Sequence, residues 1–358
     1  MRSNNTTFNL SFHGIRGLAA FIIFFTHTMN GYIEHLFPEY ESEIQHLMSN
    51  IGTFGVEIFF FLSGFVIYLS AKRTSMKDFF SHRFWRIYPV FILFTVIYFI
   101  FNHYMQIVPE KDNVVYFVLN MFFLTIFFDA PPLTPNAWTV VLEVWYYVAT
   151  YFIVYSLIEK KNYILTIIGI FLAIYLIIFW PITLFYLTGV MASIFISHYQ
   201  IYISKIRVYT VNTIQIFVLV TILFLAAKGH EYYEWSHIVT NLDTSLLLLS
   251  LFIFMILMFN EKSFLAWFLS RKIFLILGTV SYTLYLAHPY SYILTRKITE
   301  YFFIENYSFG MSTIIFSCLI LFFTLLSVWL VHFFIEAKIY KQMTGKKLLV
   351  PVEKSKDV

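Results

Sequence analysis

Ten runs of about 20 mostly apolar residues dominate this sequence, and each is the length at which a helix crosses a bilayer. They begin near Phe12, Ile51, Ile87, Trp138, Tyr163, Thr183, Val208, Leu242, Ile273 and Met311. They end near Gly31, Ser70, Met105, Ile158, Phe179, Gln200, Ala227, Asn260, Leu294 and Ile335. Backbone immersed in lipid must satisfy its own N–H and C=O groups, so such runs take the form of helices. Composition agrees, since 12% of the 358 residues are charged, against roughly 25% in a water-exposed domain. A disordered chain, a basic nucleic-acid-binding domain and a disulfide-stapled secreted scaffold are excluded. The single cysteine, Cys318, rules out intrachain disulfides and thiolate metal clusters and reads as a packed, inert thiol. The expected fold is an all-α, polytopic membrane protein with about ten transmembrane helices.

Loop charge orients the spans. Lys72, Arg73, Lys77, Arg83 and Arg86 follow the second span, Lys160 and Lys161 the fourth, Lys205 and Arg207 the sixth, and Arg271 and Lys272 the eighth. The tail carries Lys338, Lys341, Lys346, Lys347, Lys354 and Lys356. The intervening loops hold Glu34, Glu39, Glu41 and Glu43, then Glu110 and Asp112, then Glu231, Glu234 and Asp243. The alternation places both termini in the cytoplasm. It survives only if an eleventh, shorter apolar stretch at 114–128 does not cross. That stretch, followed by Pro131, Pro132 and Pro135, reads as a re-entrant or interfacial segment lining a vestibule. Arg16 and His27 interrupt the first run, which reads as a span rather than a cleaved leader. One membrane domain over 1–337 and a short basic cytoplasmic tail over 338–358 are expected, with no appended extracytoplasmic domain.

Ionisable side chains inside spans are costly, and each is a functional candidate. In the first span His27 lies eleven positions after Arg16, about 16 Å along a helix. Glu57 in the second span, Glu143 in the fourth and His288 in the ninth fall at a depth similar to that of His27. His288 reads first as a helix-to-helix hydrogen bond, and Glu57 equally as a structural partner for Arg16. Ser63-Gly64 reads as a close helix approach rather than a nucleophile. Pro289 should kink its helix and free a backbone carbonyl.

Five motifs stand in order: Arg16 and His27; Gly55-Val56-Glu57-Ile58-Phe59-Phe60-Phe61-Leu62-Ser63-Gly64-Phe65; Arg83-Phe84-Trp85-Arg86-Ile87-Tyr88-Pro89; Trp138 to Glu143; and Ser281-Tyr282-Thr283-Leu284-Tyr285-Leu286-Ala287-His288. Together they resemble the acyltransferase family 3 proteins, bacterial integral-membrane enzymes that O-acylate extracytoplasmic carbohydrates. The resemblance implies a multi-pass protein of the bacterial inner membrane. Its donor would be a cytoplasmic acyl-CoA, most often acetyl-CoA, and its acceptor a cell-surface or lipid-linked glycan. It implies Arg16 and His27 as the functional pair of the first span and Arg83 and Arg86 as the donor-binding motif. On this reading the pantetheine arm threads inward from the cytoplasm while Arg83, Arg86 and Arg16 hold its phosphates. His27 is then the general base on a sugar hydroxyl, with Glu143, or Glu57 in second place, orienting the imidazole. Trp138, Tyr282 and His288 are the candidates for contacting the acceptor. No metal and no nucleic acid are expected. The other reading is a transporter or flippase for a lipid-linked glycan, although no inverted repeat is visible.

Overall fold

The computed structural model describes residues 9–38, 43–157, 162–229, 233–302 and 308–348. Glu39, Glu41, Lys160, Lys161, Glu231, Lys354 and Lys356, used above for loop charge, lie outside the described residues. The described chain forms fourteen α-helices and no strand. They are α1 (Leu10–Leu36), α2 (Glu43–Arg73), α3 (Met76–Met105), α4 (Val114–Met121), α5 (Ala137–Tyr155), α6 (Tyr163–Phe179) and α7 (Leu184–Lys205). There follow α8 (Val208–Lys228), α9 (Trp235–Thr240), α10 (Leu242–Leu257), α11 (Phe264–Leu269), α12 (Lys272–Phe302), α13 (Phe309–Val331) and α14 (Ala337–Thr344).

Each of the ten apolar runs forms a helix over most of its described residues; Ile158, the expected end of the fourth, lies outside them. Among the described residues, eight helices are long and apolar enough to cross a membrane; α6 and α10, apolar but shorter, have 17 and 16 residues. At 1.5 Å per residue those two measure about 24–26 Å, against roughly 30 Å of hydrocarbon. The stretch at 114–128 cannot cross as a helix. It makes only the eight residues of α4, about 12 Å, and then a 3-10 turn at Thr125–Phe127. Asn120 staples it to the proline-rich loop: its Nδ2 donates to the Tyr116 and Pro131 carbonyls at 2.8 and 3.1 Å, and its Oδ1 accepts from Leu133 N–H at 3.0 Å.

Two expectations need correction. Lys77, Arg83 and Arg86 are not on a loop: α3 begins at Met76, capped by Ser75, which accepts from Asp78 N–H at 3.2 Å. A cap two residues after α2 ends lets the helix start three turns before its apolar stretch, so the arginines project from a rigid element. Cys318 is not packed but exposed on the outward flank of α13.

Glycines set the crossings that carry the polar residues. A Cβ on Gly64 would lie 2.0 Å from the Tyr186 carbonyl oxygen, and one on Gly189 2.0 Å from that of Phe61, so α2 and α7 touch backbone to backbone. This is the close approach read from Ser63-Gly64. A Cβ on Gly17 would meet Gly278 N at 2.5 Å, fixing α1 against α12. Further along, His27 meets His288 and Gly31 meets Tyr292. The contacts advance together on both helices, so α1 and α12 run parallel and in register. His27 is ten residues beyond Gly17 and His288 ten beyond Gly278. The glycine crossing thereby determines which imidazole faces which.

Candidate functional site: two cavities joined by a neck

The α1–α12 register places both imidazoles at one end of the bundle, on the wall of a cavity of about 570 Å³. His27 is exposed within it, while His288 is buried behind. Trp138, Trp180, Tyr233, Tyr285 and Tyr292 supply the aromatic lining. None of the described lining residues is Lys, Arg, Asp or Glu.

The hydrogen bonds here define a protonation pattern. His288 Nδ1 is 3.2 Å from the Leu284 carbonyl oxygen, which can only accept, so Nδ1 carries the proton. The neutral ring then has its lone pair on Nε2. His27 Nδ1 lies 3.3 Å from that atom and donates to it. The lone pair of His27 is left on Nε2, the position a general base needs.

Pro289 adds a second support. It has no N–H, so the Tyr285 carbonyl one turn earlier loses its helical donor, as the sequence suggested. The Asn136 side chain donates to that oxygen. The Tyr285 hydroxyl pairs with Thr139 Oγ1 at 2.8 Å. Asn136 and Tyr285 thus tie the start of α5 to α12 beside the imidazoles.

A second cavity, of about 490 Å³, opens toward the other end and is lined by Arg16, Arg73, Arg83, Arg86, Lys347 and Glu143, among others. Five cations face one carboxylate, a charge balance suited to a polyanion. Arg16 comes from α1, Arg73 from the last turn of α2, and Arg83 and Arg86 from the first turns of α3. Arg83 lies 5.4 Å above the Tyr147 ring, and Arg16 Nε is buried with no hydrogen-bond partner among the described residues. Glu143 accepts from Ser63 Oγ and from the Tyr147 hydroxyl.

Between the two lies a neck of about 40 Å³. It shares Val56 and Tyr285 with the histidine cavity and Arg16, Phe59, Ser63, Glu143 and Tyr282 with the arginine cavity. The two chambers are therefore end to end along one path.

The structure groups the predicted residues differently from the sequence reading. His27, His288 and Trp138 share one cavity; Arg16, Arg83 and Arg86 share the other. Glu143 does not reach His27. It is five residues beyond Trp138 on α5, about 7.5 Å deeper, and faces the arginines instead. The place beside His27 that was assigned to Glu143 belongs to His288. Tyr282 lines the neck and the arginine cavity rather than the histidine cavity, and its hydroxyl donates to the Ile87 carbonyl at 2.8 Å. Glu57 lines none of the three spaces. It is seven residues before Gly64 and so shares the α7-facing side of α2, buried, with Oε2 unpartnered. It makes no ion pair with Arg16 among the described residues.

Sequence reasoning missed Asn136, Tyr147 and Lys347. Tyr147 had a signal, being one helical turn from Glu143, and Asn136 sits beside the proline breaker. Nothing local marks Lys347.

The family model described as "Acyltransferase domain" matches residues 9–333, which includes all of these residues except Lys347. No curated protein and no solved structure matches the chain.

Proposed function

The chain belongs to acyltransferase family 3 and is a multi-pass membrane acyltransferase, and on that premise we propose that it moves an acetyl group from cytoplasmic acetyl-CoA to a hydroxyl of an extracytoplasmic glycan. The observation that carries this reading is the neck joining a cationic chamber to an aromatic, imidazole-bearing one. Donor and acceptor are chemically unlike, and each has a chamber that suits it.

In this reading α6 and α10 complete a set of ten spans, with both termini cytoplasmic and 114–128 dipping back without crossing. The parallel packing of α1 and α12 supports this. One extra crossing at 114–128 would make the two helices antiparallel. The arginine cavity then faces the cytoplasm of a bacterial inner membrane. Arg16, Arg73, Arg83 and Arg86 bind the phosphates of acetyl-CoA by charge-assisted hydrogen bonds. The thin, uncharged pantetheine arm enters the neck, which the phosphates cannot follow.

The sugar stacks on the aromatic lining of the histidine cavity and offers a hydroxyl to His27 Nε2. His27 takes the hydroxyl proton as the sugar oxygen attacks the thioester carbonyl. The C–S bond then breaks, and His27 returns the proton to the departing sulfur. His288 holds the imidazole in the required tautomer and accepts the Nδ1–H, whose acidity rises when His27 is protonated. Glu143 stays by the arginines, where it balances charge and fixes Ser63 at the neck and Tyr147 in the arginine cavity.

The transporter reading fits this geometry less well, because a neck of about 40 Å³ would have to open far more for a glycan than for a linear arm. The deciding experiment is incubation of the purified protein with radiolabelled acetyl-CoA and candidate glycans. Glycan-dependent CoA release with label on the glycan supports acyl transfer. Label that stays on CoA with every glycan, while glycan crosses vesicles, overturns it.

A further inference from the structure

The arginine cavity has a wall built by chain beyond the family match, which ends at residue 333. Tyr340, Lys347 and Leu348 all line it. The path that brings them there is well anchored. Beyond α13 the chain makes a π-helical turn, His332–Glu336. Inside it the buried His332 Nδ1 meets Glu336 Oε2 at 2.7 Å, and Thr283 Oγ1 of α12 donates to the same oxygen at 2.5 Å. A wide turn of this kind redirects a helix, and α14 then lies against the start of α3.

Gly345 ends α14 at φ 69°, with its N–H on the Lys341 carbonyl at 2.9 Å. Lys346 N–H donates to Thr344 Oγ1 at 3.2 Å, and Lys347 and Leu348 then line the cavity. Lys346 Nζ reaches His82 Nε2 at 3.0 Å. An ammonium can only donate, so His82 accepts at Nε2 and carries its proton on Nδ1, which lies 3.3 Å from the Tyr340 hydroxyl. His82 of α3 is thus clasped from both sides. Among the described residues neither Lys346 nor Lys347 is in an ion pair. The strap presents two cations, one held in place and one on the cavity wall.

Resting on the reading of this cavity as the acyl-CoA site, we propose that the strap recognises one particular group of the donor, the 3′-phosphate on its ribose. The order of charges along the cavity points there. Arg16 lines both the neck and the arginine cavity and meets the diphosphate at the end from which the arm departs toward the thioester. Arg83 and Arg86 suit the diphosphate in the middle. Lys347 lines the cavity but not the neck and, like Lys346 beside it, is exposed, which suits the ribose phosphate, the group farthest from the thioester. A neutral His82 holds Lys346 without cancelling its charge, so the strap is organised before the donor arrives.

The test compares acetyl-CoA with 3′-dephospho-acetyl-CoA, binding each to the full-length protein in nanodiscs. The wild type should favour acetyl-CoA by about 10- to 100-fold, the range expected of a hydrogen bond to a charged group. The K346Q/K347Q double variant should bind both ligands alike, at the wild-type affinity for the dephospho form. That unchanged affinity also reports that the variant is folded. A variant that keeps the preference overturns the proposal, and so does a wild type that has none. A variant that loses both ligands equally overturns it as well, since the strap would then hold the cavity together rather than read one phosphate. A wild type that binds neither ligand overturns the donor reading itself, a result distinct from the others.

Discussion

His27 Nδ1 lies 3.3 Å from His288 Nε2, on helices that are 261 positions apart in sequence and packed in parallel register. His288 in turn is tied to the Leu284 carbonyl at 3.2 Å. The ring nitrogen on which His27 carries its lone pair is therefore set by His288. H27A should lower transfer by about 10²- to 10⁴-fold, the usual contribution of a general base, with acetyl-CoA affinity intact. H288A should lower kcat at least about tenfold while leaving the KM for the donor unchanged, as expected for loss of orientation. Steady-state kinetics in nanodiscs with a parallel binding measurement checks both. An H288A enzyme that turns over like the wild type would remove His288 from the mechanism.

The neck gives a second prediction. Val56 belongs to both the neck and the histidine cavity and is largely buried. V56F adds a ring where about 40 Å³ is free. Transfer should be lost while acetyl-CoA still binds, because the phosphate-binding end is untouched. Retained transfer would mean that the thioester reaches the sugar by another route.

At the arginine cavity, R86A should weaken acetyl-CoA binding and flatten its dependence on salt, because one fewer cation meets the donor. R86K should recover part of the affinity, since Lys supplies charge without the planar fork. Titration at two ionic strengths checks this. An R86A protein with wild-type affinity at both would exclude Arg86 from donor binding.

Pro289 and Asn136 should be coupled. Pro289 leaves the Tyr285 carbonyl without its helical donor, and Asn136 supplies one. N136L should destabilise the protein by about 1–3 kcal/mol, the cost of an unsatisfied buried acceptor. In a P289A background the helix regains its N–H, and the same substitution should cost less. Detergent unfolding of the four proteins measures the coupling. Equal costs in both backgrounds would show that Asn136 serves another purpose.

The α1–α12 register depends on Gly17, where a Cβ would meet Gly278 N at 2.5 Å. G17V should separate the helices and abolish activity, with a stability loss above about 3 kcal/mol from overpacking. G310A is the control: among the described residues nothing lies within 4 Å of a Cβ there, and the substitution should be neutral or slightly stabilising. Melting temperatures in one detergent would compare them, and a G17V protein as stable as G310A would contradict the crossing.

Much of the fold could be read from the sequence because lipid enforces a simple rule, and each of the ten apolar runs became a helix. The eleventh was too short to cross, and two turns of α4 with a stapled loop are what it makes. Helix ends were less legible. Ser75 starts α3 well before its apolar stretch, since a cap acts through one side chain and hydropathy does not register it. His27, Arg16, Arg83 and Arg86 could be found because a charge in a span stands out. Their grouping could not, because depth counted along one helix ignores where that helix begins. Asn136 and Trp138 at the start of α5 already line the histidine cavity, and so Glu143, more than a turn further on, falls beside the arginines. Lys347 could be read only as a tail charge, because its place at the cavity depends on a π-turn and a left-handed glycine.

The narrowness of the neck also bears on the bilayer the protein occupies. A membrane potential is worth about 2.3 kcal/mol per unit charge for each 100 mV, and a continuous water column through the protein would dissipate it. Val56, Phe59, Phe60 and Val140 supply the apolar share of the constriction's wall, beside Arg16, Glu143 and hydroxyl side chains, and its free space of about 40 Å³ is too small for a continuous column of water, whose molecules take about 30 Å³ each. Only a molecule that fills the opening as it passes can breach that seal, and a linear, uncharged arm does so without carrying current. On the proposed donor path, the narrowness that admits only the arm also keeps the two faces of the membrane apart between turnovers.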